Sequence, residues 1–160
     1  SGSIPPELGN LTELDSPRLS DNYLSGSLPP ELGKLSSLRT LWIENNNFSG
    51  SIPPELGNLL KLRWINLSNG LYGGSIPPEL GNLTRLVYLD LSDQGYHGSL
   101  PSELGNLSNL QYIYLSNNAF TGSIPSEFGN LLKLEILSLR DNLLSGFIPP
   151  ELGRLNLEYL

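Results

Sequence analysis

The residues with the clearest potential for chemistry are one histidine and the acidic side chain near it. His97 is the only histidine of the 160-residue chain, and Asp93 lies four residues before it. A histidine oriented by a carboxylate can activate a nearby serine as a nucleophile. Nothing in the sequence orients such a triad, because His97 stands in a slot that serine or threonine fills elsewhere in the chain. The sequence therefore predicts no catalytic residue, and a protein that is not an enzyme.

Metal and phosphate sites have equally weak support. The absence of cysteine and the single histidine exclude the usual zinc spacings. The segment ELGKLSS (31–37) lacks the spacing of a phosphate-binding loop. A recurring aspartate or asparagine could hold calcium weakly, but turn formation by these side chains explains the pattern better. That column consists of Asp21, Asn45, Asn69, Asp93, Asn117 and Asp141. We expect no metal and no cofactor.

Charge and hydropathy narrow the choice of partners. The formal net charge is −7, which disfavours nucleic acid and anionic membrane surfaces. No apolar run approaches the ~20 residues of a membrane span, so we expect no membrane insertion within this chain.

A strict repeat organises the chain, and it decides where every other residue lies. Glycine before Ser/Phe-Ile/Leu-Pro recurs every 24 residues, which gives six full units and a partial seventh. The anchors are Gly2, Gly26, Gly50, Gly74, Gly98, Gly122 and Gly146. We interpret residues 1–160 as a single solenoid, because one such unit cannot bury its leucines alone.

Each unit combines a short strand with a compact return segment. In LEILSL (134–139), Leu134, Leu137 and Leu139 point to one side, as in a strand with one buried face. In GSIPPELGNL, the residue before proline is extended, and Pro-Pro-Glu-Leu suits a tight helical turn. The glycine that follows could end the turn in the left-handed conformation. Stacked units then give a parallel sheet on one side and the turns on the other.

The pattern L-x-x-L-x-L-x-x-N-x-L-x-G-x-I-P-x-x-L-G-x-L resembles the plant-type leucine-rich repeat of receptor kinases, receptor-like proteins and polygalacturonase inhibitors. The resemblance covers essentially the whole chain. It implies an α/β-type solenoid, a right-handed superhelix with a concave parallel β-sheet and a convex side of short 3-10 turns. It also implies an extracellular, cell-surface or secreted module that binds peptides, proteins or glycans.

The ends depart from that family because no cysteine-paired caps are present. Two interpretations follow: the chain is a piece of a longer solenoid, or neighbouring copies cover its ends and form a filament. Pro17 occupies an inward strand position of the first unit, where a sheet edge tolerates proline best. This favours a true end at that unit.

Two outward columns on the predicted concave sheet carry the candidate binding residues. They bring together Trp42, Trp64, Tyr88, Asp90, Tyr112 and Tyr114. Aromatic residues with polar tips dominate interface hot spots, which favours a binding surface. Aromatic residues are also ordinary strand formers, and cross-strand pairs of them simply stabilise a sheet. The presence of both tryptophans in these columns favours binding.

A neighbouring column carries Arg39 and Arg63 in adjacent units. They could hold an anion such as a carboxylate or uronate, although solvated strand charges are the simpler interpretation. Some plant peptide receptors hold a peptide carboxylate with two arginines on one strand. The chain has no Arg-x-Arg, so that role does not carry over.

Five sequons are candidates for glycosylation, and the family resemblance implies that some are used. They are Asn10, Asn47, Asn66, Asn82 and Asn106. We expect Asn10, Asn82 and Asn106 on the return side. Asn66 projects from the concave face, where a glycan would obstruct the aromatic columns, so we expect it to be less often occupied.

Inward asparagines after each strand form a predicted hydrogen-bonding ladder between units. The ladder consists of Asn22, Asn46, Asn118 and Asn142. Two central units break this pattern, because Gly70 and Gln94 replace the asparagine while Tyr72 and Tyr96 replace the apolar residue two positions later. We hypothesise that each tyrosine hydroxyl, or a water it holds, supplies the lost hydrogen bonding.

The sequence thus favours a non-catalytic recognition module that binds a peptide, protein or cell-wall glycan on its concave face. The alternative is a structural protein that stacks end to end through its uncapped repeats. Ice binding ranks last, because it needs a flat, regular array of threonine or asparagine.

Overall fold

The computed structural model describes residues 2–160, and in it each repeat unit contributes short strands and one 3-10 helix. The strands are β1 (Ser25–Gly26), β2 (Thr40–Trp42), β3 (Asn47–Gly50), β4 (Trp64–Asn66), β5 (Leu71–Gly74), β6 (Tyr88–Asp90), β7 (Gly95–Ser99), β8 (Tyr112–Tyr114), β9 (Ala119–Gly122), β10 (Ile136–Ser138) and β11 (Leu143–Leu144). The 3-10 helices span Pro6–Asn10, Pro30–Lys34, Pro54–Asn58, Pro78–Asn82, Ser102–Asn106, Ser126–Asn130 and Pro150–Arg154. Within residues 2–160, no helix has the length and apolar character needed to cross a bilayer.

The strands form two parallel sheets, of which the sequence predicted one. The predicted sheet, here called the concave sheet, has the order β10-β8-β6-β4-β2. The second sheet has the order β1-β3-β5-β7-β9-β11 and comes from the segment that we had interpreted only as a turn. Its strands form backbone hydrogen bonds with strands one unit away, so the sequence of a single unit does not predict them. Every unit between the ends therefore carries backbone hydrogen bonds to its neighbours on two sides.

The glycine inside each 3-10 helix, one residue before its end, has a different role from the one predicted. The positive φ values of 75–85° belong to Gly26, Gly50 and their equivalents at the start of each unit. Gly105, within its 3-10 helix, is not among them. A Cβ at Gly105 would lie 2.5 Å from the carbonyl oxygen of Glu127 in the next unit. The prediction of a left-handed conformation was wrong, and close approach between stacked backbones is the physical reason for this glycine.

Left-handed backbone also occurs at the recurring aspartate and asparagine. Asp21, Asn45 and their equivalents have φ between 53° and 56°. These two residue types tolerate that conformation because their short polar side chains bond locally. Asn45 Nδ2 donates to Asp21 Oδ1 at 2.8 Å, and Asn117 Nδ2 donates to Asp93 Oδ1 at 2.7 Å. The column therefore shapes the turn after each concave strand.

Columns of equivalent apolar side chains form one continuous core. In the unit 74–97 the buried residues are Ile76, Leu80, Leu83, Leu86, Leu89, Leu91 and Tyr96. Full burial of a leucine stabilises the fold by about 2 kcal/mol relative to exposure. Since each column runs from unit to unit, neighbouring repeats share one core.

Asparagine side chains join the units behind the concave sheet. Asn118 Nδ2 donates to Leu91 O in the preceding unit at 2.9 Å, and its Oδ1 accepts from Tyr96 N at 3.1 Å. Asn142 repeats this pattern with Leu115 O and Phe120 N, and Asn46 repeats it with Leu19 O and Leu24 N. Asn22 is exposed and bonds only to carbonyls of its own unit, Leu19 O and Ser20 O.

In the irregular units, a glutamine takes over the asparagine's role between repeats. Gln94 Nε2 donates to Leu67 O at 2.6 Å, and its Oε1 accepts from Tyr72 N at 3.1 Å. A Cβ on Gly70 would lie 3.2 Å from two ring atoms of Tyr72, so the ring fills the space of an asparagine there. Gly70 has no side-chain oxygen to accept a hydrogen bond from Phe48 N. The equivalent main-chain groups, Tyr72 N and Tyr96 N, each donate to a side-chain oxygen of the next unit.

The tyrosine hydroxyls do not replace the asparagine through protein groups, so that part of the hypothesis was wrong. Tyr72 and Tyr96 are 2% and 0% exposed, and neither hydroxyl has a protein hydrogen-bond partner. Their rings stack 6.1 Å apart in a column that runs from Phe48 to Phe120. Burial raises the pKa of both hydroxyls, so they stay protonated at neutral pH.

Removing either buried hydroxyl is expected to stabilise the protein. Tyr72→Phe and Tyr96→Phe should each raise the free energy of unfolding by about 1 kcal/mol, because a buried hydroxyl without a partner carries a desolvation penalty. Urea denaturation measures the change, with Tyr23→Phe as the exposed control. A loss of stability in Tyr72→Phe would show that the hydroxyl makes a stabilising hydrogen bond and would contradict this account.

Candidate functional site

The strand register aligns the two outward columns across the concave sheet. Thr40 pairs with Trp64, and the same column continues through Tyr88, Tyr112 and Ile136. Trp42 pairs with Asn66, and that column continues through Asp90, Tyr114 and Ser138. The residue between the two columns is buried in every strand, so its neighbours face outward. The sheet thus presents an irregular surface on a regular scaffold.

Both tryptophans line one cavity at the N-terminal end of this surface, here called the tryptophan pocket. Its volume is about 700 Å³, and the second and third units contribute Thr40, Trp42, Glu44 and Trp64. Arg18 and Asp21 of the first unit also line the pocket. Trp42 is 43% exposed, so much of its indole is available for contact. One Glu44 carboxylate oxygen, Oε2, is buried without a protein partner. The pocket can take an apolar or cationic side chain between indole and carboxylate groups.

A tyrosine cluster made of Tyr88, Tyr112 and Tyr114 follows in the next two strands. The ring centroids of Tyr88 and Tyr114 are 5.6 Å apart, and those of Tyr88 and Tyr112 are 6.3 Å apart. The Tyr88 hydroxyl donates to Asp90 Oδ2 at 3.2 Å, while Ser92 N and Oγ donate to Asp90 Oδ1. Burial, followed by the charge of Asp90, raises the pKa of Tyr88. These bonds orient Tyr88 within the cluster before any ligand arrives.

The two arginines predicted with the aromatic residues lie on a different surface. Arg39 and Arg63 line a second cavity of about 480 Å³ that contains no aromatic residue. One contact links the two surfaces, since the Arg63 guanidinium carbon lies 4.8 Å from the centre of the Trp64 ring. Arg39 Nε lies 3.7 Å from Asp15 Oδ2, with both side chains largely exposed. Sequence reasoning missed the other cations of this cavity, because it followed only one of the two columns that form it.

The remaining candidate residues lie away from both cavities. His97 is exposed in β7 of the second sheet. Asn10, Asn82 and Asn106 are exposed at the last position of a 3-10 helix, and Asn47 is exposed in β3. Asn66 is half-buried in the concave sheet, and its Oδ1 accepts hydrogen bonds from Ser68 N and Oγ. Over the described residues 2–160, no group of three or more histidine or acidic side chains could hold a metal ion.

The fold and the variable concave surface define a repeat protein of the solenoid class. The chain belongs to the leucine-rich repeat family: the model described as a leucine-rich repeat region matches residues 50–157, and that of the single leucine-rich repeat matches 10–35 and 37–59. Neither model describes an enzyme. A search of curated protein sequences found no significant match.

Solved structures of plant receptor ectodomains have the same fold. The leucine-rich repeat ectodomain of the receptor kinase GASSHO1/SCHENGEN3 from Arabidopsis thaliana, in complex with CASPARIAN STRIP INTEGRITY FACTOR 2, is 44% identical with a TM-score of 0.98. The alignment covers 99% of this chain and 19% of that one. The Arabidopsis receptor kinase HAESA ectodomain, in complex with an extended IDA peptide hormone ligand, is 35% identical over 99% of this chain and 31% of that one, with a TM-score of 0.84. The chain thus spans a fifth to a third of these relatives.

A plant ice-binding protein shares the fold at greater distance. It is 26% identical over 100% of this chain and 67% of that one, with a TM-score of 0.76. On the concave sheet described above, aromatic side chains interrupt both columns, and one column also contains the charged Asp90. The surface therefore lacks the regular threonine or asparagine array that ice recognition would require.

Proposed function

We propose that this chain is part of an extracellular recognition module that binds a linear peptide across the concave sheet. The single observation that carries the proposal is the position of the tryptophans. Both tryptophans of the chain line one pocket on this sheet, next to a tyrosine cluster on the following strands. Large aromatic groups in a concave surface are typical binding hot spots.

The relatives support this choice of ligand class. One ectodomain was solved with a peptide hormone ligand, and the other with an integrity factor. Both are ectodomains of plant receptor kinases by their descriptions, which supports an extracellular position for this chain. A protein or glycan ligand on the same surface is the alternative to a peptide. End-to-end assembly of the chain is a separate hypothesis, which light scattering of the isolated chain would test.

The chemistry of the pocket suggests what the peptide should present. Indole faces attract a cation, and the Glu44 and Asp21 carboxylates that line the same space outnumber its one cation, Arg18. A lysine or arginine side chain between Trp42 and Trp64 would combine cation–π contact with ion pairing. The tyrosine cluster offers a broader area for the rest of the peptide, where main-chain and apolar contacts add affinity.

Truncating the two tryptophans is expected to abolish most of the affinity for such a peptide. The probe is a peptide selected on the wild-type chain from a displayed library of linear peptides. Trp42→Ala/Trp64→Ala should weaken its binding at least about thirtyfold, the size of one strong hot spot. Calorimetry measures the dissociation constant.

A matched variant removes two exposed apolar side chains elsewhere. Tyr23 and Leu71 are 80% and 66% exposed and line neither cavity. Tyr23→Ala/Leu71→Ala should leave the affinity within about twofold, because neither residue lies on the concave sheet. Equal binding by the tryptophan variant, with its fold intact by circular dichroism, would overturn the proposal.

A further inference from the structure

A groove beside the concave sheet gathers most of the positive charge of an otherwise acidic chain. The cavity of about 480 Å³ is lined by Arg39, Lys61, Arg63, Arg85 and Lys133, with Asn109, Gln111 and Val87 between them. These are five of the nine lysines and arginines in a chain with a net charge of −7. We call this surface the basic groove. Such a concentration gives it a local potential opposite in sign to that of the whole protein.

Two parallel columns of side chains build the basic groove. Arg39, Arg63, Val87 and Gln111 form one column, and their main chains are joined by N–H to carbonyl hydrogen bonds of 2.8–2.9 Å. Lys61, Arg85, Asn109 and Lys133 form the other column, one unit after another. The leucines between the columns, such as Leu62 and Leu86, are buried. The groove is therefore anchored to the core, and its cations follow the stacking distance of about 4.8 Å per unit.

The central cations have no acidic partner. Within residues 2–160, no carboxylate lies within ion-pair distance of Lys61, Arg63 or Arg85; the recorded pairs involve Arg39 and Arg140. At one end Lys133 Nζ donates to Asn109 Oδ1 at 2.7 Å, and Asn109 Nδ2 donates to Thr84 O at 2.8 Å. Like charges crowded together raise the free energy of the unliganded protein slightly. An anion that bridges them would relieve this repulsion.

We propose that the basic groove binds an acidic oligosaccharide, a linear chain that carries a carboxylate on each sugar. Cations repeated along successive units match an anion repeated along a chain, whereas a single phosphate would engage only part of the array. The amide of Gln111 and the second N–H of Asn109 Nδ2, which is left over from its bond to Thr84 O, are suited to sugar hydroxyls. The lining has one apolar side chain, Val87, and no aromatic residue, so it offers no anchor for the apolar side chains of a peptide.

This inference goes beyond the proposed function, because the basic groove and the tryptophan pocket share no lining residue. Arg63 of the groove lies over Trp64 of the pocket and links the two surfaces. A protein with both sites would hold an acidic glycan beside a peptide. The test below therefore uses cations other than Arg63, so that it can fail independently of peptide binding.

Calorimetry with a defined oligogalacturonate, at low and at physiological salt, tests the assignment. We expect saturable binding that weakens with added salt, and no binding of the same oligomer after complete methyl esterification. Lys61→Gln/Arg85→Gln/Lys133→Gln should weaken binding at least about tenfold, while its affinity for the library-selected peptide stays within about twofold. The charge-matched control is Lys34→Gln/Arg140→Gln/Arg154→Gln, which should bind both probes as the wild type does.

Several outcomes would overturn the assignment. Equal binding of the methyl ester would show that charge does not drive recognition. An unchanged affinity in the groove variant would place the oligosaccharide elsewhere. Tighter binding of a poly-glutamate peptide than of the oligogalacturonate would assign the groove to acidic peptides. Competition by inorganic sulfate at concentrations comparable to the oligomer would show that the basic groove binds single anions rather than an oligosaccharide.

Discussion

Replacing Gly105 with alanine is expected to lower the free energy of unfolding by about 3 kcal/mol. The added methyl would lie 2.5 Å from Glu127 O, 2.7 Å from Glu127 Cβ and 2.8 Å from the Glu127 carbonyl carbon. These atoms belong mostly to the backbone of the next unit, which two sheets and the core hold in place. The clash can be relieved only by moving the two units apart, so the loss of packing extends along the stack.

The last repeat provides a matched control. Gly153 stands at the equivalent position of its 3-10 helix, and a Cβ there would meet nothing within 4 Å. Gly153→Ala should therefore change stability by less than about 0.5 kcal/mol, or raise it slightly, since alanine narrows the unfolded ensemble. Urea denaturation followed by far-UV circular dichroism compares the two variants. Equal stability of Gly105→Ala and the wild type would contradict the close-approach explanation.

Asn118→Ala is the second large effect, with an expected loss of about 3 kcal/mol. The change leaves the carbonyl of Leu91 and the N–H of Tyr96 without their side-chain partner, while the carbonyl of Leu115 keeps its bond from Asn142. Leu91 is a fully buried residue, so water cannot readily replace the amide at its carbonyl. The damage falls between two units and weakens their interface in particular.

Asn22→Ala is the control, because it removes an asparagine whose hydrogen bonds stay within its own unit. Asn22 donates to Leu19 O and Ser20 O in its own unit and is exposed, so water can satisfy both carbonyls. We expect a loss below about 1 kcal/mol in the same denaturation measurement. A loss in Asn22→Ala equal to that in Asn118→Ala would show that the bonds between units carry no special weight.

The period of 24 residues was sufficient to predict the stacking and the concave columns. Once Gly26 and Gly50 are aligned, the register of Trp42 with Asn66 follows, because every unit repeats the same path. The burial of Leu62, Leu86 and their equivalents follows from the same alignment. Residues at equivalent positions of the repeat are therefore neighbours in the stack.

Features that depend on contacts between units were harder to predict. The glycine types could not be told apart by sequence, since one is required by positive φ at Gly98 and another by close approach at Gly105. The second sheet was not predicted because segments such as AFTG (119–122) pair with strands of a neighbouring unit. The basic groove was not predicted because two columns of side chains form it together. Their positions in the structure place Lys61 in one cavity with Arg63 and Arg85.

Tryptophan fluorescence tests the central claim most directly, because the only two tryptophans of the chain line the proposed peptide site. Titration with the library-selected peptide should shift the emission to shorter wavelength and protect it from acrylamide, saturating at the dissociation constant found by calorimetry. That result would follow from desolvation of the exposed Trp42 and of Trp64. Saturable binding by calorimetry with unchanged emission and unchanged quenching would contradict the account, because the peptide would then bind away from the concave tryptophan pocket.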